Sequence, residues 1–213
     1  STLGFSQKEI RTLASLNTPK KIQRYLEEID YNLEEKGETC HSPRIVLRER
    51  KASCIEAAIF AAAALRFHGH PPLIVDLTSV RDDDHVIAVF KQYQHWGAIA
   101  KSKYTGLGYR EPIHRTIREI AFSYFEDYFN FAGEKTLRGY SRPVNLSRFD
   151  KIHWMTTEKD PFCIGHYLDK IHHTKFLTHT MIRNLRRVPR LTKEAGELGM
   201  KKMGILEKVK SRH

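Results

Sequence analysis

The clearest pattern in the chain is the run "SCIEAAIFAAAAL", in which small apolar residues follow Ser53. It predicts a buried helix with Ser53 at its N-cap and Gly69 just past its end. Thr18 and Pro19 are predicted to begin an earlier helix. The apolar stripe of that helix consists of Ile22, Tyr25, Leu26 and Ile29. The basic stretch 32–52 is predicted to be an irregular connector.

Three strands are predicted next, in "PPLIVDLTSV", "HVIAVFKQY" and "HWGAIAKS". The first is continuously apolar and the second alternates in part, as central or half-buried strands do. Pro112 is predicted to open a further helix in "IHRTIREIAFSYFEDYFNF", and "KTLRGYSRPVNL" and "KIHWMTT" are predicted as short strands or loops. The C-terminal third is predicted to be helical. Helices, then an antiparallel meander, then helices indicate an α+β fold, because parallel sheets require alternating strands and helices.

Composition adds a domain division to this pattern. The 213 residues are 40% hydrophobic, enough for one domain with a helical addition. We expect an α+β domain over residues 1–185 and a basic helical tail over residues 186–213. The net charge is +11, and the tail holds nine Lys/Arg against three Glu. Such a tail is either a solvated face or a surface that binds nucleic acid or another acidic partner in a salt-dependent way.

Sequence features also bear on compartment and cofactors. No apolar window is long enough to span a membrane, and the N-terminus lacks a basic region followed by an apolar run, so we expect neither a membrane partner nor a secretory signal. The three cysteines have no paired spacing, which favours a reducing, cytoplasmic location. The residues of "DDDH" alternate between strand faces and rarely converge on one ion, so we predict no metal and no cofactor. The oligomeric state is left open.

Cys54 and His85 are the residues that suggest chemistry. Cys54 begins the alanine-rich helix, where the helix dipole lowers a thiol pKa and backbone N–H groups can hold an oxyanion. The 31 residues from Cys54 to His85 leave room for a helix, a turn and a strand that bring His85 back to Cys54. The alternative to a nucleophile is that Cys54 is a small buried residue of the core. The alternative to a base is that His85 is a strand-end histidine hydrogen-bonded to the adjacent acids.

A cysteine opening an alanine-rich helix, followed by "GHPPLIVDL", "DDDHVIAVF" and "HWGAIAKS", resembles the transglutaminase-like branch of the papain-like cysteine enzymes over roughly residues 45–105. A more specific resemblance, to uncharacterised bacterial and archaeal transglutaminase-like proteins, extends through "LGYREPIHRTIREIAFSYFEDY" and "KTLRGYS". The resemblance implies a central helix packed on a small antiparallel sheet, with Cys54 as nucleophile and His85 as general base. The substrate would be a peptide or protein amide, whose acyl group passes through a thioester to water or an amine.

The third member of the family's catalytic set does not match. The family aspartate is expected near Ile99 to Ser102, but "IAKS" has no carboxylate. Either Ser102 or a backbone carbonyl would then orient the imidazole. Asp83 shares the strand face of His85 but would lie beside the ring.

Residues near the third strand are candidates for substrate contact. Tyr104, Tyr109 and Arg110 occupy a glycine-containing loop that either lines the cleft or is an ordinary connection, and Trp96 fits beside the histidine strand. Arg48, Arg50 and Lys51 precede the thiol and either favour acidic substrates or belong to a solvated connector. The rival to an enzyme is a transglutaminase-like fold that acts as a non-catalytic binding module for nucleic acid or another acidic partner.

Overall fold

An antiparallel sheet of seven strands and one buried helix form the centre of the structure, a computed structural model that describes residues 3–211. The helices are α1 (Gln7–Ser15), α2 (Pro19–Glu28), α3 (Pro43–Glu49), α4 (Cys54–Phe67), α5 (Ile117–Ser123), α6 (Cys163–Lys170), α7 (His179–Arg183), α8 (Arg190–Gly196), α9 (Leu198–Lys202) and α10 (Leu206–Lys210). The strands are β1 (Asp30–Tyr31), β2 (Lys51–Ala52), β3 (Leu73–Ser79), β4 (His85–Gln92), β5 (His95–Ile99), β6 (Arg110–His114), β7 (Leu137–Ser141), β8 (Val144–Asn145) and β9 (His173–Lys175). Two 3₁₀ turns cover Phe125–Asp127 and Leu146–Ile152.

Helix α4 is buried on all sides. Every residue from 57 to 65 is at most 1% exposed, because the sheet covers one side of the helix and α1, α2 and α3 cover the other. A helix that is apolar all round is stable only in such a position. The predicted boundaries are confirmed, with Ser53 at the N-cap and Gly69 in the left-handed region just past the end.

The main sheet has the strand order β6-β5-β4-β3-β7-β9, with β8 also pairing with β3. Strands β3, β4 and β5 confirm the three predicted strands, and Leu77 of β3 lies opposite His85 of β4. Ile74 and Ala88 lie in the same cluster as α4, whereas Val75 and Ile87 pack with α5 on the other face. Both faces are therefore covered, which explains why these strands are almost continuously apolar.

Two predicted segments differ from the structure. The connector 32–52 contains helix α3, which begins with Ser42 as N-cap and Pro43 in its first turn. Pro112 does not open a helix, because it lies in the sheet-edge strand β6, where a missing N–H is tolerated. The helix in this region is only α5, capped by Thr116. Helix α1 and strand β9 were not predicted.

The basic tail packs on the domain. Met200, Leu206 and Val209 are buried in the same cluster as Tyr104 and Phe129. The Thr105 N–H donates to the Gly196 carbonyl at 2.9 Å, which joins α8 to the loop after β5.

The helices of residues 3–211 are all too short or too polar to cross a lipid bilayer.

Gly97 provides a test of the sheet packing. A Cβ at this position would lie 2.4 Å from the Phe90 ring and 2.9 Å from the Arg110 carbonyl oxygen. We expect Gly97→Ala to lower the free energy of unfolding by about 1–3 kcal/mol, measured by urea denaturation. Gly108→Ala is the matched control, because nothing lies within 4 Å of its Cβ. Equal effects of the two substitutions would contradict this account.

Candidate functional site

Cys54 and His85 line one cavity of about 200 Å³ at the N-terminal end of α4. Other residues around it include Tyr31, Ser102, Tyr104 and Tyr128. The antiparallel return from β3 to β4 places His85 beside the first turn of α4, as the spacing predicts. The structure therefore brings the two proposed reactive residues to one site.

The thiol of Cys54 lies against the backbone at the start of β4. Its Sγ is 3.8 Å from the Asp84 carbonyl oxygen, and the Val86 and Ile55 N–H groups also interact with the sulfur. Burial nevertheless raises the pKa of the Cys54 thiol to about 11, with Asp83 contributing in the same direction. The expectation that the helix N-terminus would lower this pKa is wrong, because desolvation of the thiolate outweighs the N–H groups.

His85 is 3% exposed and has a defined orientation. Its Nε2 lies 3.0 Å from the Leu107 carbonyl oxygen. Because a carbonyl only accepts, Nε2 carries the proton and the Nδ1 of the neutral ring is free to act as a base. Burial lowers the pKa of the imidazole to about 4, although the Leu107 carbonyl acts in the opposite direction. The rings of Tyr124 and Tyr128 pack edge-on against it, at 6.0 and 6.4 Å between centroids.

The backbone carbonyl of Leu107, and not Ser102, is the hydrogen-bond partner of the imidazole. Ser102 lines the cavity, but its Oγ accepts from the Tyr104 N–H at 3.0 Å. Asp83 forms an ion pair with Lys103 at 2.7 Å. Of the two alternatives that the sequence left open, the geometry thus favours the carbonyl.

Two side chains hold the loop that presents this carbonyl. The Arg110 guanidinium donates to the Gly106 carbonyl at 2.8 Å and lies 3.9 Å above the Tyr124 ring. The Tyr124 hydroxyl donates to the Gly108 carbonyl at 2.8 Å. The loop is therefore fixed on both sides of Leu107.

The four residues proposed for substrate contact separate into two groups. Tyr104 lines the cavity. Trp96, Tyr109 and Arg110 are not among the described residues that line it, and each is engaged elsewhere. Lys91 lies over the Trp96 ring, the Tyr109 ring stacks on Phe90, and Arg110 supports the loop.

Tyr31 belongs to the site although no sequence pattern indicated it. The short parallel pair of β1 and β2 places Tyr31 opposite Ala52, two residues before Cys54. The Cys54 N–H donates toward the Tyr31 hydroxyl, whose pKa burial raises. A two-residue strand has no periodicity, so nothing in the sequence indicated that Asp30 and Tyr31 pair with Lys51 and Ala52.

Acidic side chains surround the cavity, in contrast to the basic stretch that precedes the thiol. Glu34, Asp82, Asp83 and Asp84 line it together with Lys103. Arg48 instead pairs with Glu158 at 2.7 Å, and Arg50 lies over the Tyr25 ring. The suggestion that residues 48–51 favour acidic substrates therefore has no geometric support.

Comparison with known proteins adds no family assignment. A scan against protein-family models found no match, and a search of curated proteins found none either.

Within residues 3–211, no group of three or more His, Cys, Asp or Glu side chains is arranged to hold a metal ion.

Glu56 anchors the start of α4. Its fully buried carboxylate accepts from the Ser53 N–H at 2.7 Å, the Thr39 hydroxyl at 2.7 Å and the His41 N–H at 2.9 Å. The Asn32 amide donates to it at 3.0 Å. These hydrogen bonds lower the pKa of the carboxyl despite its burial.

Replacing this carboxylate with an amide should be costly. We expect Glu56→Gln to lower the free energy of unfolding by about 2–4 kcal/mol. The new NH₂ group cannot accept hydrogen bonds, so buried donors that now bond to the carboxylate would lose their acceptor. Glu28→Gln, at an exposed position of α2, should change it by less than about 0.5 kcal/mol. Urea denaturation at neutral pH measures both, and a similar loss in the two variants would refute the anchoring role.

The buried imidazole predicts an acid-sensitive stability. The folded-state pKa of His85 is about 4, below the ordinary 6.5, so its contribution is present above pH 6.5 and is lost as pH falls through 4. Between pH 7 and pH 4 wild type should lose about 3 kcal/mol more than His85→Asn does. The exposed His172→Asn should follow wild type. If the free energy of unfolding of wild type and of His85→Asn fell in parallel with pH, the imidazole would not be buried in its neutral form.

Proposed function

We propose that this chain carries out cysteine-dependent amide chemistry in the cavity that Cys54 and His85 line. The observation that carries the proposal is the hydrogen bond from His85 Nε2 to the Leu107 carbonyl. It leaves Nδ1 as the basic nitrogen of a ring that shares a cavity with a helix-terminal thiol. The resemblance in sequence supports the same roles for the two residues.

The reaction starts from neutral partners. The pKa of about 11 for Cys54 and about 4 for His85 disfavour a resting thiolate–imidazolium pair. Proton transfer from Sγ to Nδ1 therefore accompanies formation of the C–S bond at the amide carbonyl. The Tyr31 hydroxyl lines the cavity and accepts from the Cys54 N–H, and its own O–H is the donor that we assign to the oxyanion.

The remaining steps regenerate the free protein. The imidazolium returns its proton to the departing amine as the C–N bond breaks, which leaves a thioester on Cys54. Water then yields a carboxylic acid, as in a peptidase or amidase, whereas an amine yields a new amide, as in a transglutaminase. The acidic lining of the cavity favours substrates or acceptors that are neutral or cationic near the reacting carbonyl.

A direct test is acylation of the thiol by an activated ester such as 4-nitrophenyl acetate. We expect one acetyl group on Cys54, detected by intact-protein mass spectrometry and peptide mapping, at a rate that is nearly constant from about pH 6 to 8 because His85 is already deprotonated there. His85→Asn should slow acylation at least about a hundredfold, the lower end of general-base effects. Cys163→Ser, which removes an exposed cysteine, is the control that should retain the wild-type rate.

The same experiment has a clear negative outcome. A thiol without a general base reacts only as its thiolate, so its rate would rise tenfold per pH unit toward a pKa of about 11. If wild type shows that profile and His85→Asn leaves it unchanged, Cys54 is not activated and the proposal fails.

The raised thiol pKa gives the second candidate, a non-catalytic binding module, its main support. In this alternative the tail docks on an acidic partner through exposed lysines such as Lys201 and Lys202. Because Met200, Leu206 and Val209 are buried, deleting the tail would disturb the core. The double substitution Lys201→Gln and Lys202→Gln removes charge without removing these buried residues. If the tail is the docking surface, we expect the double variant to elute from a heparin column at lower salt than wild type does.

A further inference from the structure

A second small pocket lies beside the turn between β3 and β4 and is lined mainly by arginines. It has a volume of about 130 Å³, and we refer to it as the arginine pocket. Its charged residues are Arg81, Glu134, Lys135, Arg138, Arg186 and Arg187. Arg81 comes from the β3–β4 turn, Arg138 from β7, and Arg186 and Arg187 from the segment after α7. Three separate parts of the fold therefore direct arginines to one place.

Carboxylates compensate only part of this charge. Glu134 accepts from Arg81 at 3.1 Å and lies 3.7 Å from Arg187, and Lys135 pairs with Glu126. Five cations thus face two carboxylates, which leaves an excess of three positive charges.

Within residues 3–211, two of the arginines form no ion pair with a carboxylate. Arg138 donates to the Lys135 and Leu137 carbonyls at 2.9 Å each, so its guanidinium is positioned by neutral groups. In the part of the chain that the structure describes, no hydrogen bond or ion pair engages the exposed Arg186. Burial and the nearby Arg81 lower the pKa of Arg138, as uncompensated positive charge requires.

We propose that the arginine pocket binds a single phosphate group. A phosphate dianion neutralises most of the excess charge, and its tetrahedral oxygens accept the paired N–H donors of guanidinium groups. The volume is well below the roughly 300 Å³ at which small-molecule pockets begin, so the pocket suits one anionic group and not a whole nucleotide. None of the residues found to line it within 3–211 is aromatic, although single-stranded nucleic acid is usually held by stacking on aromatic rings.

The pocket is chemically separate from the thiol site. Arg81 faces the arginine pocket, whereas the adjacent Asp82 lines the Cys54 cavity and accepts from the Thr136 hydroxyl at 2.7 Å. Phosphate binding does not depend on whether Cys54 is a nucleophile, and it differs from docking through the lysines of the tail helices.

Titration of the intact protein with inorganic phosphate, followed by isothermal calorimetry at low ionic strength, tests the proposal. Arg186→Gln should weaken binding about tenfold, because one charge-assisted hydrogen bond to the phosphate is lost and no hydrogen bond or ion pair within residues 3–211 is broken. Arg11→Gln, which removes an exposed arginine on α1, is the matched control and should bind as wild type does. Thermal denaturation of each variant shows whether it is folded.

A substitution of opposite sign sharpens the test. Glu134→Gln keeps the shape of the side chain but releases Arg81 and Arg187, so phosphate should bind severalfold more tightly. If phosphate affinity depended only on general surface charge, Arg186→Gln and Arg11→Gln would lower it by the same small factor. Either that result or an unchanged phosphate affinity in Glu134→Gln would overturn the proposal.

Two further probes distinguish the sources of the phosphate. A phosphoserine peptide that binds more tightly than inorganic phosphate, while its unphosphorylated form does not bind, would identify a phosphorylated protein segment. If the phosphoserine peptide and inorganic phosphate bind with equal affinity, the ligand is a small phosphorylated molecule or the free phosphate ion. A short single-stranded RNA that binds far more tightly than either, with no loss in Arg186→Gln, would contradict a single-phosphate site.

Discussion

The position of the candidate site depends on one buried carboxylate. Glu56 lies in the first turn of α4, and its oxygens collect donors from residues 32, 39 and 41 as well as from the cap residue Ser53. Burial alone would neutralise such a group, but several short hydrogen bonds keep it ionised. The helix start and the loop after β1 are thereby joined, which brings Tyr31 to the Cys54 N–H. Without this carboxylate, the side chains and backbone of residues 32, 39 and 41 would lose their hydrogen bonds to the helix start.

Burial then determines the protonation states of the reactive pair. It raises the thiol pKa and lowers the imidazole pKa, so both groups rest uncharged. A neutral imidazole needs a defined tautomer more than it needs a counter-charge, and the Leu107 carbonyl supplies that tautomer. Arg110 and Tyr124 hold the loop carrying this carbonyl, so residues that do not line the cavity still control the direction in which Nδ1 points.

The sequence allowed the central helix, strands β3 to β5 and the meeting of Cys54 with His85 to be predicted, because each depends on periodicity or on connection length. The partner of the imidazole could not be predicted as a residue, since a backbone carbonyl leaves no trace in residue type. Tyr31 was missed because a two-residue strand has no pattern, and the helix expected at Pro112 failed because β6 is an edge strand that accepts proline. The packing of the tail was missed because its few apolar residues are dispersed among many charges.

The turn between β3 and β4 explains how a strongly basic chain contains an acidic cavity. Arg81 has a left-handed backbone, with φ of 55°, a conformation that costs a non-glycine residue about 1 kcal/mol. Ser79 holds the turn, because its N–H donates to the Asp84 carboxylate at 2.6 Å and its hydroxyl donates to the Asp82 carbonyl at 2.7 Å. Arg81 lines the arginine pocket, whereas Asp82 lines the Cys54 cavity. Net charge is therefore a poor guide to the thiol site, because three acids of this turn, Asp82, Asp83 and Asp84, line the cavity while most of the excess positive charge lies elsewhere in the chain.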